Sequence, residues 1–373
     1  MSDSLIPNGH VLIGRYVIEQ YLTSGGMQEV YLCKDRALSR QVVVKTPKGG
    51  VSDRRFQRGA EMGARISHHN VAATFDYFED ERRTYLVEEF IGGSDLGKRL
   101  AADFYFLDPS LAAHVIHNIA RALYEAHRVG ICHRDLKPGN VMTSQDPGMR
   151  LIKLTDFGIA KLAESELAVE MQRFEQDQST LTTSNTLLGA VPYMAPECWA
   201  DWKGAGQPMD IWALGCIAYQ LVTGETPFGV GRGAIAQVVR AEQSGKVELT
   251  HPIAFGKHVA TAALEKDLWS LITSCIQVDP KSRPTAEDVL RSCGSWCYST
   301  ADRHMGVVKS YAVPYPSGVK GKSGYIEDLN IQQRLFFHLS EFFGGPPAVG
   351  QRVNFSLYPG YPYPRAAPVL RVR

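Results

Sequence analysis

The sequence predicts an α+β protein in which a small strand-rich lobe precedes a larger helical lobe and a strand-rich module follows at the C-terminus. Residues 11–46 and 74–91 alternate apolar and polar side chains in short runs, which favours antiparallel strands. From Ser110 to Val129 the apolar residues instead recur at helical spacing. After about Trp296 helical periodicity disappears, and short runs with many Gly, Pro and Tyr residues follow. The change of pattern along the chain therefore separates three parts.

Two further helices and the bulk composition agree with this division. A helix is predicted over Phe56–Ile66, and apolar residues from Trp269 to Ile276 predict another late in the chain. The chain has 373 residues, 44% of them hydrophobic and 21% charged, which is typical of a globular protein of two or three domains.

Cysteine usage and hydropathy predict a cytoplasmic protein. The seven cysteines are an odd number, mostly scattered through apolar segments, which favours free thiols in a reducing compartment. No apolar run reaches the roughly 18 residues of a membrane span. The N-terminal residues lack the basic and apolar regions of a secretory signal.

The formal net charge of +1 hides an asymmetry between the two ends of the chain. From Ala301 onward nine Lys and Arg residues stand against four Asp and Glu residues, so the tail carries +5 and the rest of the chain −4. A basic module on a mildly acidic body indicates a polyanionic partner for the tail.

Two short motifs carry the clearest chemical signal. H-R-D-L-K-P-G-N at 133–140 places Asp135, Lys137 and Asn140 on one tight loop, and T-D-F-G at 155–158 places Asp156 on another. Phosphoryl transfer from ATP needs a carboxylate that orients the attacking hydroxyl, oxygen ligands for Mg²⁺ and a cation beside the phosphates. Either motif alone would be weak evidence, but the ordered pair at this spacing argues against chance tripeptides in surface turns.

Residues from about 10 to 296 resemble the Ser/Thr protein kinase family, in particular its bacterial, eukaryotic-like branch. Further landmarks appear in the family's order: V-V-V-K ending at Lys45, V-P-Y-M-A-P-E ending at Glu197, D-I-W-A-L-G from Asp210, and R-P-T-A from Arg283. The resemblance implies a bilobal protein kinase fold over 10–296, with a small lobe over about 10–91 and a large lobe over about 92–296. It also implies that Arg283 pairs with Glu197.

The resemblance assigns roles to the motif residues. Asp135 would orient the substrate hydroxyl, Lys137 would steady the transferred phosphate, and Asn140 and Asp156 would hold Mg²⁺. The K-P-x-N form of the loop implies protein substrates with serine or threonine hydroxyls. The ATP-binding residues it implies are Lys45, Gly25, Gly26 and Val30, with the backbone from Glu89 to Ile91 receiving adenine.

Several positions depart from the family pattern. Thr23 and Gln28 replace the first and third glycines of the phosphate-covering loop, and Ala190 replaces a threonine that braces the catalytic loop. Gly59 stands where a glutamate of the first helix should pair with Lys45.

Glu88 falls at the gatekeeper position, which is usually apolar, and Glu61 lies about 200° around the helix from an ideal partner position. Our hypothesis is that Glu88 replaces the missing partner of Lys45. A buried carboxylate and an unpaired ammonium each carry a desolvation cost, and this cost falls for both groups when they lie side by side. The alternatives are a local misalignment or an unpaired lysine in a weak enzyme.

The activation segment, 156–197, contains the run S-T-L-T-T-S-N-T. Arg134 is the family's usual receiver for a phosphate on this segment. We expect autophosphorylation, with a homodimer as the form in which one copy modifies the other. The candidate acceptors are Thr182, Thr183, Ser184 and Thr186. The alternative is a solvated polar loop without regulatory meaning.

The tail, 304–373, resembles a cold-shock domain, a five-stranded barrel of the OB type that binds single-stranded RNA or DNA. The matching stretches are 306–311, 323–329, 335–342, 349–357 and 367–372. The implied nucleic-acid contacts are Lys309, Tyr325, Phe336 and His338. Ser310 and Ser323 stand where aromatic residues are expected, so half of the stacking platform is missing. The alternative is a barrel retained for protein docking or dimerisation.

The sequence as a whole predicts a Ser/Thr protein kinase with a cold-shock-like module. The main alternative is a pseudokinase scaffold that signals by conformation, favoured by Gly59, Gln28 and Ala190. A third hypothesis is a kinase whose activity responds to a nucleic-acid strand bound by the tail.

Overall fold

The computed structural model describes residues 5–24, 28–48, 54–81, 83–157, 189–201, 204–299, 301–312 and 321–373. Within these residues the chain forms a strand-rich lobe, a helical lobe and a C-terminal barrel. The predicted α+β fold class is therefore confirmed.

An antiparallel sheet of six strands forms the small lobe, in the order β1-β2-β3-β4-β6-β5. The strands are β1 (Val11–Leu12), β2 (Tyr16–Ser24), β3 (Gln28–Asp35), β4 (Arg40–Pro47), β5 (Thr74–Glu79) and β6 (Thr84–Glu89). One helix, α1 (Arg54–Ala64), packs against this sheet through Phe56 and Ala60, which contact Leu86 and Tyr77. The predicted helix over Phe56–Ile66 corresponds to α1.

Alternation along β3 and β4 decides which side chains reach the cleft. Glu29 and Tyr31 turn into the small-lobe interior, so Gln28 and Val30 face the opposite side of the sheet. Val30 is paired with Lys45 across the β3–β4 ladder, which places the lysine on the same side. The cleft side of the small lobe is therefore set by strand register.

The large lobe is mainly helical, with a three-stranded sheet ordered β7-β8-β9. Its elements are β7 (Gly93–Asp95), α2 (Leu96–Ala102), α3 (Pro109–Arg128), β8 (Val141–Ser144), β9 (Ile152–Leu154), α4 (Glu197–Ala200), α5 (Gln207–Thr223), α6 (Arg232–Ser244), α7 (Ala262–Cys275) and α8 (Ala286–Gly294). The predicted helices over Ser110–Val129 and Trp269–Ile276 are contained largely in α3 and α7.

Helix α3 leads into the catalytic motif and has well-defined ends. Asp108 caps its first turn by accepting hydrogen bonds from the backbone N–H groups of Ser110 and Leu111, and Pro109 occupies the first helical position. The helix ends at Arg128, and Gly130 follows with φ of +75°. A left-handed residue of this kind turns the chain away from the helix axis.

Helix α5 is buried along most of its length beneath α7. A methyl group added at Gly215 would lie 2.7 Å from side-chain atoms of both Cys275 and Ile276. Only glycine allows the two helices to approach this closely. The contact fixes α5, which carries Asp210, in the middle of the lobe.

The C-terminal module is a closed barrel. Its strands are β10 (Arg303–Tyr311), β11 (Ser323–Asp328), β12 (Arg334–His338), β13 (Phe342–Phe343), β14 (Arg352–Tyr358) and β15 (Arg365–Arg371). The sheet runs β12-β11-β10-β14-β15-β13, and a parallel pairing between Phe336 and Arg365 closes it. Five strands form the closed ring, as expected from the sequence, and the two-residue strand β13 pairs beside β15.

The barrel packs directly on the large lobe. Phe343, Leu370 and Val372 belong to the same buried apolar cluster as the core of the large lobe. Arg373 donates its backbone N–H to Asp103 O at 2.9 Å. The proposed domain boundaries stay predictions, but the two parts share one hydrophobic core.

Two other expectations concern membranes and thiols. Across the described ranges, none of the helices combines the length and the apolar character that a membrane crossing requires. All seven cysteines have free thiols.

Candidate active site

Asp210 anchors the start of the catalytic loop, 133–140, through hydrogen bonds. Its carboxylate accepts the backbone N–H groups of His133 at 2.7 Å and Arg134 at 2.8 Å, and it lies 2.9 Å from Nε2 of His127. Burial alone would raise the pKa of Asp210, but the hydrogen bond from His127 and nearby positive charge lower it. Arg134 has a left-handed φ of +67°, so this bracing holds the loop in a conformation that a non-glycine residue rarely adopts.

Asp135, Lys137 and Asn140 meet on this loop. Lys137 Nζ lies 2.7 Å from Asp135 Oδ2, and Asn140 Nδ2 donates to the same oxygen at 3.0 Å. The amide of Asn140 also donates to the backbone carbonyl of Asp135 at 2.7 Å. A short 3₁₀ turn, Pro138–Asn140, brings the amide back towards the carboxylate. One oxygen of Asp135 is thus held by two donors.

Asp156 follows β9 and reaches the small lobe. Its φ is +64°, and Thr155 donates its backbone N–H to Asn140 O at 3.0 Å, which ties the two motif loops together. Asp156 Oδ1 accepts from Lys45 Nζ at 2.7 Å and from Gln28 Nε2 at 3.3 Å. Burial would raise the pKa of Asp156, but the charge and hydrogen bond of Lys45 lower it.

Lys45 lies between two carboxylates. Its Nζ is 2.5 Å from Glu88 Oε2 as well as 2.7 Å from Asp156 Oδ1. The Lys45 and Glu88 side chains are only 7% and 9% exposed. Burial would lower the pKa of Lys45, but attraction to the two carboxylates raises it. Burial raises the pKa of Glu88 in spite of the neighbouring ammonium.

Helix α1 offers Lys45 no carboxylate in this conformation. Gly59 is buried on the inner side of the helix. Glu61 is exposed and accepts a hydrogen bond from Gln57 at 3.1 Å on the outer surface. The contact predicted between Lys45 and Glu88 is therefore present in the geometry, whereas Glu61 points elsewhere.

The segment expected to receive adenine joins the two lobes. Glu89 Oε2 accepts from Lys153 Nζ at 2.8 Å and from the backbone N–H of Ala73 at 3.1 Å. Ile91 is buried, and Val30 lies half-buried on the cleft side of β3. Neither the sequence motifs nor their spacing indicated the contact between Lys153 and Glu89. The signal available was a lysine within an otherwise apolar strand.

The residues expected to hold Mg²⁺ suit that ion. Asn140 uses Nδ2 on Asp135, which leaves its carbonyl oxygen for another partner. Asp156 uses Oδ1 for Lys45 and Gln28, whereas Oδ2 has a long contact of 3.4 Å from Thr155 Oγ1. In the described ranges no three His, Cys, Asp or Glu residues group as metal ligands. Mg²⁺ is commonly held by one or two carboxylates together with substrate phosphates and water, so this donor set fits.

Six of the predicted site residues lie outside the described residues: Gly25, Gly26, Thr182, Thr183, Ser184 and Thr186. The expected pair at the end of the activation segment is present, because Arg283 binds Glu197 through two hydrogen bonds of 2.6 and 2.8 Å. Arg283 also lies 4.9 Å from the ring centre of Trp212.

The barrel carries an aromatic–arginine cluster, which we define as Tyr325, Phe336, Tyr363, Arg334 and Arg365. The ring of Tyr325 contacts those of Phe336 and Tyr363 at centroid distances of 6.1 and 5.3 Å. The Arg334 guanidinium lies 4.1 Å above Tyr325, and that of Arg365 lies 6.0 Å from Phe336. Tyr363 and both arginines were missed, because cross-strand neighbours are not adjacent in the sequence.

The other expected nucleic-acid contacts lie outside this cluster. Lys309 forms an exposed ion pair of 2.5 Å with Glu327. His338 is exposed and hydrogen-bonds Ser340. Phe337 and Phe342 are buried in the barrel interior.

Comparison with known proteins gives a consistent result. The family model for the protein kinase domain matches residues 16–293. The serine/threonine-protein kinase PrkC of Bacillus subtilis (strain 168) is 33% identical over 241 residues, which cover 63% of this chain and 34% of that protein. A probable serine/threonine-protein kinase of Clostridium acetobutylicum is 31% identical over 294 residues, covering 74% of this chain and 38% of that protein. The chain thus spans only about a third of the length of these relatives.

A solved structure shares the fold. The crystal structure of Rad53 1-466 in complex with AMP-PNP matches with a TM-score of 0.56 at 24% identity, covering 75% of this chain and 65% of that one.

Proposed function

Because the chain belongs to the protein kinase family, we propose that it transfers the γ-phosphate of ATP to serine and threonine hydroxyls of proteins. The observation that carries the proposal is the meeting of Asp135, Lys137 and Asn140 on one braced loop, tied by a backbone hydrogen bond to the segment that carries Asp156. The serine/threonine class is supported by Lys137 and by the names of the relatives. Each element of phosphoryl transfer then has a residue to perform it.

Asp135 orients the substrate hydroxyl and accepts its proton. The two donors on its Oδ2 keep the carboxylate in one orientation, which leaves Oδ1 for the incoming hydroxyl. Lys137 lies beside this carboxylate, where it can also neutralise charge on the transferred phosphate. Asn140 and Asp156 would hold Mg²⁺, whose charge offsets that of the phosphate oxygens.

Lys45 binds ATP phosphates on the small-lobe side of the cleft. Gly25 and Gly26 allow the covering loop to approach the phosphates, and Val30 packs on the base. The backbone from Glu89 to Ile91 hydrogen-bonds adenine. The position of Glu89 is kept by Lys153, which ties this segment to the strand before Asp156.

An autophosphorylation assay tests the activity. Purified full-length chain incubated with radiolabelled ATP and Mg²⁺ should incorporate label, and Asp135→Asn should abolish incorporation. The matched measurement is a thermal shift with Mg²⁺–nucleotide, which Asp135→Asn should retain because Asp135 is not a nucleotide ligand. A thermal shift in the wild type without any incorporation would favour the pseudokinase scaffold instead. No thermal shift with any Mg²⁺–nucleotide would contradict the proposed kinase activity and leave an empty pseudokinase scaffold.

The activation segment is the proposed target of the chain's own activity. Thr182, Thr183, Ser184 and Thr186 are the acceptors, Arg134 receives the phosphate, and a transient homodimer allows one copy to modify another. Phosphopeptide mapping of the labelled wild type should find phosphate on at least one of the four. Label found only elsewhere would contradict this assignment.

A second candidate function for the barrel is binding of single-stranded nucleic acid. The aromatic–arginine cluster favours it, because bases stack on aromatic rings and guanidinium groups attract the phosphate backbone. Lys309 and His338 would extend the contact on either side. The competing function is docking of another protein.

Fluorescence anisotropy with labelled single-stranded RNA and DNA distinguishes the two. Tyr325→Leu and Phe336→Leu should each weaken binding at least about fivefold, since a base stack contributes roughly 1–3 kcal/mol. Tyr361→Leu is the matched control, because Tyr361 is 97% exposed and lies outside the cluster. Absence of salt-sensitive binding to any strand would favour protein docking.

A further inference from the structure

Strand pairing alone brings Lys45 and Glu88 together. In the β4–β6 ladder Lys45 lies opposite Leu86, and Val43 lies opposite Glu88. Side chains two residues apart on a strand share a face, so Lys45 and Glu88 are diagonal neighbours on the cleft side of the sheet. Both partners of this ion pair therefore belong to one hydrogen-bonded sheet.

The pair is buried and its charges are compensated locally. One ammonium lies between two carboxylates, those of Glu88 and Asp156, at 2.5 and 2.7 Å. A buried carboxylate that lost its ammonium would carry a large desolvation penalty. Glu88 therefore requires Lys45 as much as Lys45 requires a counter-ion.

Helix α1 makes apolar contacts with the sheet next to Lys45, where the family pattern has a glutamate that serves as the counter-ion of this lysine. Phe56 and Ala60 pack on Leu86, and Gly59 is buried beside them. Glu61 hydrogen-bonds Gln57 on the exposed side of the helix. In protein kinases the position of this helix controls activity through the glutamate that pairs with the lysine. Here the helix has no such glutamate at the expected position.

We infer that Glu88 is the positioning residue of Lys45 and that it makes the orientation of this lysine independent of the placement of α1. Because β4 and β6 are joined by backbone hydrogen bonds, a displacement of α1 leaves the ion pair intact. A regulator that acts by moving α1 would not switch this site. The inference rests on the proposed function, since it concerns the lysine that binds ATP phosphates.

The first experiment measures the chemical reactivity of Lys45 and does not depend on kinase activity. The 373-residue chain is treated with an amine-acylating reagent at one fixed pH, and the time course of Lys45 modification is followed by mass spectrometry. Glu88→Gln replaces one of the two carboxylates that hold the Lys45 ammonium with a neutral amide, so Lys45 should be held less firmly and should be acylated faster than in the wild type. Glu61→Gln is the matched control and should leave the profile of the wild type unchanged. An unchanged profile in Glu88→Gln would overturn the inference.

The second arm tests independence from α1. Phe56→Leu loosens the packing of α1 on Leu86 and should lower stability while leaving the Lys45 acylation profile unchanged. A shift in Phe56→Leu as large as that in Glu88→Gln would show that α1 does control the lysine. The isosteric Glu88→Gln is used in place of a truncation so that the fold is preserved.

The third arm connects the pair to nucleotide binding. Titration calorimetry with Mg²⁺–nucleotide should show at least about tenfold weaker binding in Glu88→Gln and unchanged binding in Glu61→Gln. Equal loss in both variants would show that the effect is not specific to Glu88 and would overturn the inference. If the wild type binds no nucleotide, the proposed function fails, whereas the acylation profiles still decide whether Glu88 positions Lys45.

Discussion

Gln28 shows how a single residue can change the role of a loop. A glycine at this position would let the backbone approach phosphate, but the glutamine side chain instead crosses the cleft to Asp156 Oδ1. The same oxygen accepts from Lys45, so two small-lobe donors fix one oxygen of a large-lobe carboxylate. The other oxygen, Oδ2, has only a long contact of 3.4 Å from Thr155 Oγ1 in the described structure. Gln28 Oε1 is buried without a hydrogen-bond partner in the described structure, so the amide is held mainly through its donor end.

We predict that Gln28→Met weakens binding of Mg²⁺–nucleotide. The variant keeps the length of the side chain but removes the donor, so Asp156 loses one of the contacts that orient it. The expected loss in affinity is about threefold to tenfold, because the contact is long at 3.3 Å and should contribute no more than an ordinary hydrogen bond of roughly 0.5–1.5 kcal/mol. Titration calorimetry at a fixed Mg²⁺ concentration measures it.

The control for this prediction is Gln41→Met. Gln41 lies on β4 and donates to Glu19 on the exposed side of the same sheet, so an identical substitution there should not change affinity. Equal dissociation constants for Gln28→Met and wild type would show that the contact with Asp156 does not contribute.

At the scale of elements, α3 connects the barrel to the catalytic loop. Its cap, Asp108, is fully buried and also binds Arg303 from the first strand of the barrel, with Nη2 2.8 Å from Oδ1. Arg303 donates in addition to Asn354 Oδ1 at 3.0 Å. The helix ends just before the loop that carries Asp135. One helix thus has a barrel contact at its start and the catalytic residues beyond its end.

Removing one partner of the buried ion pair between Asp108 and Arg303 should strongly destabilise the fold. Arg303→Met leaves the Asp108 carboxylate buried without its counter-ion, so the free energy of unfolding should fall by about 3–5 kcal/mol. Asp108→Asn retains a capping oxygen but leaves Arg303 uncompensated. The double variant should lose less than the sum of the two single variants, because neither charge is then left unpaired.

Urea unfolding of the three variants measures this coupling. Strictly additive losses would mean that the two charges do not stabilise each other. A loss from Asp108→Asn without a loss from Arg303→Met would show that the ion pair is not the source of the stabilisation.

His117 on α3 predicts a dependence of stability on pH. Burial lowers the pKa of His117 to about 4, with further lowering from Arg121 and His114, and its Nδ1 lies 2.9 Å from the Tyr298 hydroxyl. In the unfolded chain the ordinary value is about 6.5, so between these values the unfolded state binds more protons. The contribution of His117 to stability is therefore present above about pH 6.5 and is lost as the pH falls towards 4.

His117→Gln should reduce the acid sensitivity of the fold. Glutamine can still hydrogen-bond Tyr298 but does not titrate, so urea midpoints of the variant should fall less steeply than those of the wild type from about pH 6.5 to about pH 4. Parallel curves for the two proteins would exclude a contribution from this histidine.

At the scale of the whole molecule, the barrel completes the large lobe. Leu370 on β15 is fully buried in the core cluster of the large lobe, whereas Leu335 on β12 is equally buried but belongs to the barrel's own cluster. His258 reinforces the junction, with its ring centre 3.8 Å from that of Phe343. The barrel therefore behaves as a layer of the kinase and not as a module on a linker.

Leu370→Ala should destabilise the large lobe although it lies in the barrel. All five tryptophans precede residue 300, so tryptophan fluorescence reports on the kinase part alone. The transition followed by fluorescence should lose about 2–5 kcal/mol in Leu370→Ala, as for other buried leucines. Leu335→Ala should shift this transition less. A transition unaffected by Leu370→Ala would mean that the lobe and the barrel unfold separately.

Much of the architecture could be predicted because it depends on local patterns. Alternation specified the small-lobe strands, helical spacing specified α3, and the two motifs located Asp135, Asn140 and Asp156 on loops after a helix and a strand. Such features involve residues close in sequence, and their spacing reflects backbone geometry directly. The contact between Lys45 and Glu88 could be predicted as well. Gly59 leaves Lys45 without its usual glutamate partner, and Glu88 is a carboxylate at a buried position that needs a counter-ion.

Only the tertiary structure decided which side chains from different helices, strands and loops contact each other. The contacts of Gln28 with Asp156, Lys153 with Glu89, and Arg303 with Asp108 join residues 64 to 195 positions apart. The same holds for the shared core of the barrel and the large lobe, for Arg334 above Tyr325 and for Arg365 near Phe336. Their positions follow from strand register and helix packing, which depend on the summed burial of many side chains and not on any local run of sequence.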